Sequence, residues 1–158
     1  TISRLSDQDD EMKKNINLDL QKSDYSESKV LIISTKWNEE VIDSMLDDCK
    51  ETLKILKVDF SEVTVPGAFE IPFMVNNQAK SYDAIITIGA IIKGETPHFD
   101  IIAKSVSDQI IALGIKLNKP VIFGVLTTNN IEQALERSKT KGKELALSAL
   151  YLLDQLDG

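Results

Sequence analysis

The segment Gly94 to Phe99 (Gly-Glu-Thr-Pro-His-Phe) combines residue types that could bind a phosphate and move a proton. It follows the apolar run Ala84 to Ile92, which predicts a buried strand ending where the segment begins. In a strand-to-helix loop, the N–H groups near Gly94 and the Thr96 hydroxyl could bind an anion, which the helix dipole also favours. His98, the only histidine, can exchange protons near neutral pH. Taken alone, these residue types fit an ordinary loop with a solvated histidine at least as well.

Two other segments place aromatic and acidic side chains where a strand would end. Val65 to Pro72 contains two prolines and a glycine at a predicted strand-to-helix turn, which would present Phe69 and Glu70 to a ligand. Trp37, the only tryptophan, precedes Asn38 and could stack on a flat heteroaromatic ligand. The structural alternatives are that Phe69 belongs to the core, that Glu70 caps the helix, and that Trp37 packs at the edge of the core.

Arg137 is a further candidate for phosphate binding, because a guanidinium can donate two N–H groups to one phosphate. The structural alternative is an ion pair with Glu132 or Glu136 in the same acidic stretch. Lys141 and Gly142 are predicted to open the last helix, and the lysines around them would then form a solvated basic face.

Regular apolar periods predict the elements that would position these residues. The predicted strands are Lys29 to Ser34, Val58 to Val65, Ala84 to Ile92, and Pro120 to Leu126. The predicted helices are Asn38 to Leu56, Phe69 to Ala79, Asp100 to Lys116, Asn130 to Arg137, and Lys143 to Leu156. This alternation predicts a flavodoxin-like three-layer α/β/α sandwich with a four-stranded parallel core sheet. Ligands bind beyond the carboxyl ends of such strands, where Trp37, Glu70 and His98 fall.

The composition argues against several classes of protein. A net charge of -7 and a pI of about 4.7 argue against a nucleic-acid partner. The longest apolar run is too short to span a membrane, and no secretory signal is predicted. The single cysteine, Cys49, allows no internal disulfide and falls on an apolar helix face, which is compatible with the cytoplasmic location that we expect. With one histidine and one cysteine, no metal site is predicted.

The first 28 residues differ from the rest of the chain. They are polar, mixed in charge and without a sustained period, so residues 1–28 are predicted to form an extension with little intrinsic structure. Ile16 to Leu20 alternates apolar and polar residues, which predicts an extra strand where a neighbour offers a sheet edge. Residues 29–158 are predicted to form a single domain.

Three motifs, in chain order, resemble the lumazine synthase family. They are Val65 to Pro72 (VPGAFEIP), Gly89 to Asp100 (GAIIKGETPHFD) and Pro120 to Thr127 (PVIFGVLT), and shorter matches continue through Glu132-Gln133-Ala134, Glu136-Arg137 and Lys141-Gly142. The resemblance covers about residues 28 to 150. It implies that 5-amino-6-ribitylamino-pyrimidinedione condenses with 3,4-dihydroxy-2-butanone 4-phosphate, without a cofactor, in riboflavin biosynthesis. Positioning of two reactants would supply much of the rate.

The resemblance also implies a site divided between subunits. In one subunit it implies substrate contacts from Trp37, Asn38, Ala68, Phe69, Glu70, Ala90, Ile91, Ile92, Gly94, Glu95 and Thr96. In these contacts Trp37 would stack on the pyrimidine, Ala68 and Glu70 would hold the ribityl chain, and the N–H groups of residues 94–96 would surround the phosphate. His98 would be the proton shuttle. From the neighbouring subunit it implies contacts from Phe123, Lys141 and Arg137, with Arg137 binding the phosphate.

The family assembles as pentamers, and some members combine twelve pentamers into a shell. The stretch from Arg137 to Gly142 is shorter than in typical shell-forming members and lacks their glycine-rich turn, so we expect a homopentamer. Three alternatives remain open. They are an archaeal-type riboflavin synthase, a non-catalytic flavin-binding, lumazine-binding or shell protein of the same fold, and a generic flavodoxin-like binding module.

Overall fold

The computed structural model describes residues 20–157. The predicted strand at Ile16 to Leu20 lies outside the described residues except for its last residue. The elements are β1 Lys29–Thr35, α1 Glu39–Ile55, β2 Asp59–Val65, α2 Ile71–Gln78, β3 Ala84–Ile92, α3 Phe99–Leu117, β4 Val121–Ile122, β5 Val125–Thr128 and α4 Ile131–Asp157. Two 3₁₀ turns, Ala68–Glu70 and Ala79–Ser81, flank α2.

The strands form a parallel sheet in the order β2-β1-β3, and β4 and β5 both pair with the remaining edge of β3. Nearly all side chains of β1 and β3 are buried, as their continuous apolar runs predict for central parallel strands. Helices α1 and α4 cover one face of the sheet, and α2 and α3 cover the other. The predicted flavodoxin-like α/β/α architecture is confirmed.

Successive residues of β1 point to opposite faces and divide the core in two. Val30 and Ile32 pack with α1 and α4, whereas Leu31 and Ile33 pack with α2 and α3. Cys49 is fully buried in the first of these cores, and burial raises the pKa of its thiol to about 12. The interpretation of Cys49 as a small buried apolar residue is confirmed.

The fourth predicted strand is interrupted. Instead of one strand from Pro120 to Leu126, β4 and β5 are separated by Phe123 and Gly124. The Thr87 hydroxyl compensates for the break, because it donates to the Ile122 carbonyl at 2.8 Å and accepts from the Gly124 N–H at 3.1 Å. A Cβ at position 124 would overlap the Thr87 carbonyl oxygen and the Leu145 side chain, so the close approach requires glycine.

The prediction of two helices, at Asn130 to Arg137 and Lys143 to Leu156, is wrong. Helix α4 runs without interruption from Ile131 to Asp157. Gly142 does not break it, because this glycine lies where α4 crosses α1 and a Cβ there would overlap the Met45 carbonyl oxygen. Gly142 is therefore explained by the close packing of α4 against α1, not by the start of a helix.

Residues 20–28 have no helix or strand, but they are anchored to the domain. Tyr25 is buried, and its hydroxyl donates to the buried Asp154 carboxylate at 2.8 Å. The Gln21 N–H donates to the same carboxylate at 2.9 Å, and the Tyr25 N–H donates to the Leu56 carbonyl at 2.8 Å. Burial, together with the hydrogen bond to Asp154, raises the pKa of Tyr25 to about 12. The segment is thus tied to the ends of α1 and α4.

Candidate functional site

A cavity of about 320 Å³ opens at the carboxyl edge of the sheet. It lies between the loops that follow β1, β2 and β3, which is where parallel α/β sheets bind ligands. Its lining residues are Trp37, Asn38, Gly67, Ala68, Phe69, Glu70, Ala90, Ile91, Ile92, Glu95, Thr96 and Ile102. The structure therefore brings together most of the substrate-contact residues expected from one subunit. We call this space the ring cavity.

Two aromatic side chains of the ring cavity are exposed. Trp37 is 72% exposed and Phe69 is 67% exposed, so Phe69 is not a core residue and that alternative is wrong. Exposed aromatic faces beside a cavity leave apolar area for a flat ligand to cover. Ile91 and Ile92 have buried side chains, so they can offer chiefly backbone groups to a ligand.

The Glu70 carboxylate faces the ring cavity rather than capping a helix. Glu70 occupies the position before α2, but its side chain makes no capping hydrogen bond. A Cβ at Gly67 would lie 3.4 Å from a Glu70 carboxylate oxygen and 3.9 Å from the Trp37 ring, so Gly67 leaves space between them. Glu70 thus keeps its acceptor oxygens available for hydroxyl groups of a ligand.

Asn38 and Glu95, which both line the ring cavity, form a hydrogen bond with each other. Asn38 precedes α1 as predicted, but its side chain does not cap the helix and Nδ2 instead donates to Glu95 Oε2 at 3.2 Å. The backbone N–H of Glu95 donates to the Ile92 carbonyl at 3.2 Å. The Glu95 N–H is therefore already paired within its own loop. This pairing differs from the phosphate contact that the family resemblance implies for it.

The residues around His98 form an adjoining depression. It has a volume of about 430 Å³ and is lined by Lys93, Gly94, Thr96, Pro97, His98, Phe99, Asp100 and Ile101. Gly94 has a φ of 96°, a backbone conformation that favours glycine. The Thr96 hydroxyl accepts the His98 N–H at 3.2 Å, and α3 has no side-chain cap at its start. Thr96 lines this depression and the ring cavity, so the two spaces adjoin.

The remaining predicted residues lie in a third depression, of about 340 Å³, which we call the cationic depression. It is lined by Phe123, Val125, Leu126, Thr127, Arg137, Thr140, Lys141 and Glu144. Because α4 is continuous, residues 137, 140, 141 and 144 fall on one face of the helix. Sequence reasoning missed Thr140, since the predicted helix break hid this spacing.

Arg137 is not paired with either acidic residue that the sequence suggested. Glu136 pairs with Lys139 at 3.1 Å, and Arg137 Nη1 donates to the Thr127 carbonyl at 3.4 Å. Lys141 pairs with Glu144 at 3.5 Å. The Arg137 guanidinium therefore retains N–H donors for an anion.

Within residues 20–157, no group of three or more His, Cys, Asp or Glu side chains could hold a metal ion. No helix in that range is long and apolar enough to cross a bilayer.

The fold is that of a flavodoxin-like α/β protein with a cavity at the carboxyl edge of its sheet. A model of the 6,7-dimethyl-8-ribityllumazine synthase family matches residues 27–157. The chain belongs to the 6,7-dimethyl-8-ribityllumazine synthase family.

Several proteins named 6,7-dimethyl-8-ribityllumazine synthase are similar over most of their length. That of Limosilactobacillus reuteri is 41% identical, covering 85% of this chain and 91% of the relative. That of Sulfurimonas denitrificans is 39% identical, covering 82% of this chain and 88% of the relative. Among solved structures, a flavone reductase has a TM-score of 0.40 at 12% identity, covering 77% of this chain and 62% of that one. A flavodoxin from the domain Archaea has a TM-score of 0.38 at 10% identity, covering 77% of this chain and 98% of the flavodoxin.

Proposed function

We propose that the chain condenses 5-amino-6-ribitylamino-pyrimidinedione with 3,4-dihydroxy-2-butanone 4-phosphate to give 6,7-dimethyl-8-ribityllumazine, releasing phosphate and water. Family membership makes it an enzyme, a transferase of riboflavin biosynthesis, and does not favour a non-catalytic binder. The observation that carries the proposal is the ring cavity, in which exposed aromatic rings, a free carboxylate and strand-edge backbone meet. We also place its activity in the cytoplasm, as the sequence suggested.

In this proposal the ring cavity binds the pyrimidine. Trp37 and Phe69 offer exposed aromatic faces on which the ring stacks. The Glu70 carboxylate accepts hydrogen bonds from the ribityl hydroxyls, with the backbone of Ala68 beside it. Backbone groups of residues 90–92, at the end of β3, pair with the polar edge of the ring.

The phosphate binds beside the start of α3. The positive φ of Gly94 lets an anion approach the backbone, and the uncapped first turn of α3 leaves N–H groups and the helix dipole to stabilise it. Thr96 contributes its hydroxyl. Arg137 of a neighbouring copy completes the contact, with Lys141 adding a second positive charge and Phe123 an apolar wall.

The reaction starts when the primary amine of the pyrimidine attacks the ketone of the sugar phosphate. Loss of water gives an imine. Loss of the proton on the adjacent carbinol carbon then expels phosphate and leaves an enol, which tautomerises to a ketone. Attack of the ribityl-bearing nitrogen on that ketone closes the second ring with loss of another water. His98, exposed at the start of α3, moves protons in these steps. Fixing the two reactants side by side, in the ring cavity and the adjoining depression, supplies much of the rate by making the first step effectively intramolecular.

We propose that the active form is a homopentamer. Phe123, Arg137 and Lys141 do not line the ring cavity of their own chain, so a second copy supplies them. The exposed apolar side chains of Phe73, Ile101, Ile111 and Ile115 on α2 and α3 support an interface on that face. Sedimentation should give a mass of about five chains, and a mass near about sixty chains would overturn the pentamer.

The activity is tested by mixing the purified chain with both substrates and following lumazine fluorescence against the uncatalysed background. Product formation in proportion to the amount of protein supports the proposal. A folded oligomer that gives no product above background would overturn it. Supplying lumazine alone separates the alternative of a riboflavin synthase, which would consume lumazine and form riboflavin.

A further inference from the structure

The hydrogen bond between Asn38 and Glu95 joins two loops that are far apart in sequence. Asn38 lies in the loop between β1 and α1, directly after Trp37, and Glu95 lies in the loop between β3 and α3. Asn38 Nδ2 donates to Glu95 Oε2 at 3.2 Å. Both residues line the ring cavity, so the bond lies in its wall.

Asn38 is suited to this bond in two ways. Its backbone is left-handed, with φ 61° and ψ 49°, and asparagine adopts that conformation more readily than most residues. Its side chain makes no capping bond to α1, and Nδ2 donates to Glu95 instead. One residue thus turns the chain immediately after Trp37 and fastens that turn to the opposite loop.

The two loops that the Asn38–Glu95 hydrogen bond joins are not equally fixed. Glu95 belongs to a loop held by its own backbone, where the Glu95 N–H donates to the Ile92 carbonyl at 3.2 Å. Trp37, in contrast, is 72% exposed and has few neighbours to hold its ring. A bond from the adjacent Asn38 to a fixed loop restricts where the Trp37 ring can lie, which lowers the ordering cost of stacking.

The Asn38–Glu95 hydrogen bond also affects the charge of the ring cavity. Among its described lining residues, Glu70 and Glu95 are the charged side chains, and both are acidic. The bond to Asn38 occupies one Glu95 oxygen with an amide donor, whereas Glu70 is left to accept from ligand hydroxyls.

We propose that Asn38 and Glu95 are a positioning pair, whose hydrogen bond holds the Trp37 ring in place for a flat heteroaromatic substrate. The pair acts through Trp37 rather than on the reacting atoms. The identity of the substrate as the ribitylamino-pyrimidine rests on the proposed function. The pair therefore sets the affinity for the pyrimidine more than the rate of the chemical steps.

An exchange of donor and acceptor tests the pair. Asn38→Asp keeps a residue that tolerates the left-handed backbone but places two carboxylates together, so the bond is lost. It should raise the KM for the pyrimidine about 10-fold, with kcat changed less than about 2-fold. Adding Glu95→Gln returns an amide donor to face the new carboxylate at position 38 and should restore the KM to within about 2-fold of the original.

Trp37 gives a second measurement that needs no substrate. As the only tryptophan, it reports the order of its loop through acrylamide quenching and fluorescence anisotropy. Asn38→Asp should increase the quenching rate about 2-fold, and the exchanged pair should reverse the increase. The matched control is Asn118→Asp, because Asn118 is also left-handed (φ 53°) but lies at the far end of α3, away from the ring cavity.

These measurements separate the pair from the reaction. If the original chain turns over substrate but the exchange restores neither the KM nor the quenching rate, the positioning pair is wrong. An effect of Asn118→Asp as large as that of Asn38→Asp would also overturn it. If Trp37 responds to the exchange but no turnover occurs, the pair is supported and the proposed function is overturned.

Discussion

The ring cavity and the cationic depression differ in their chemistry although one chain carries both. The ring cavity has exposed aromatic rings, and its charged lining residues, Glu70 and Glu95, are acidic. The cationic depression has Arg137, together with Lys141 paired to Glu144, beside a single aromatic residue, Phe123. A flat ring fits the first, and the second offers an arginine to the phosphate that the start of α3 is proposed to bind. Since the described lining of the ring cavity includes no cationic side chain for the sugar phosphate, the comparison favours a site to which a second copy contributes Arg137.

The largest effect is expected from Arg137→Ala. This change should raise the apparent KM for the butanone phosphate about 100-fold, because two charge-assisted hydrogen bonds to phosphate are lost. Binding of the pyrimidine, followed through Trp37 emission, should not change. Lys139→Ala is the matched control, because Lys139 pairs with Glu136 on the same helix but does not line the depression. An unchanged KM for the phosphate substrate in Arg137→Ala would contradict the assignment.

Mixing two impaired chains tests whether the regions act across copies. Arg137→Ala lacks the phosphate contact, and Trp37→Ala/Glu70→Ala lacks the ring contacts. Co-assembled at equal amounts and assayed with butanone phosphate well below its KM, they should regain about a quarter of full activity, roughly 25-fold above the arginine variant, since random mixing restores about a quarter of shared sites. A chain carrying all three changes is the control, and it should rescue neither variant. Absence of any gain in a verified mixed oligomer would show that each chain uses its own residues.

A smaller effect is expected from His98→Ala. Turnover should fall about 10-fold, because proton transfer by His98 supplies only part of the rate and positioning supplies much of the rest. The KM values of both substrates should change less than kcat. Single-turnover rates measured across pH would check this, and a loss above about 1,000-fold would mean that positioning contributes far less than proposed.

The smallest effect on turnover is expected from Gly142→Ala, which acts mainly on stability. The added methyl would overlap α1 and should lower the free energy of unfolding by about 1–3 kcal/mol. The same change at Gly114, whose nearest contact would be 3.4 Å away, should be close to neutral. Denaturant unfolding of both variants measures the difference. Equal stability would show that α1 and α4 tolerate wider separation where they cross at Gly142.

The parts of the fold that depend on local patterns were predictable from the sequence. Burial alone explains the apolar runs of β1 and β3 and the apolar period of α1. These three elements match the structure closely. The strand break at Phe123 and the continuity of α4 at Gly142 depend on contacts with Thr87 and Met45. Such contacts join residues far apart in sequence. A local interpretation of glycine as marking the start or end of a strand or helix could not identify them.

The candidate site shows the same division. The spacing of motifs at strand ends placed Trp37, Glu70 and Glu95 together, because parallel strands share one carboxyl edge. The partner of Asn38 was not predictable, since it depends on a left-handed turn and on the relative position of two loops. Thr140 could have been found by extending the helical period through Gly142.

The anchor formed by Tyr25 and Asp154 has a practical consequence for protein engineering. It holds residues 20–25 beside the end of α4, close to Leu56, and thus at the amino edge of the sheet. The ring cavity and the cationic depression open at other surfaces, toward the carboxyl edge and along the first half of α4. A fluorescent label or cargo domain fused beyond residue 157 would therefore project away from the chemistry, and the chain could serve as a scaffold that displays its cargo while its sites remain accessible.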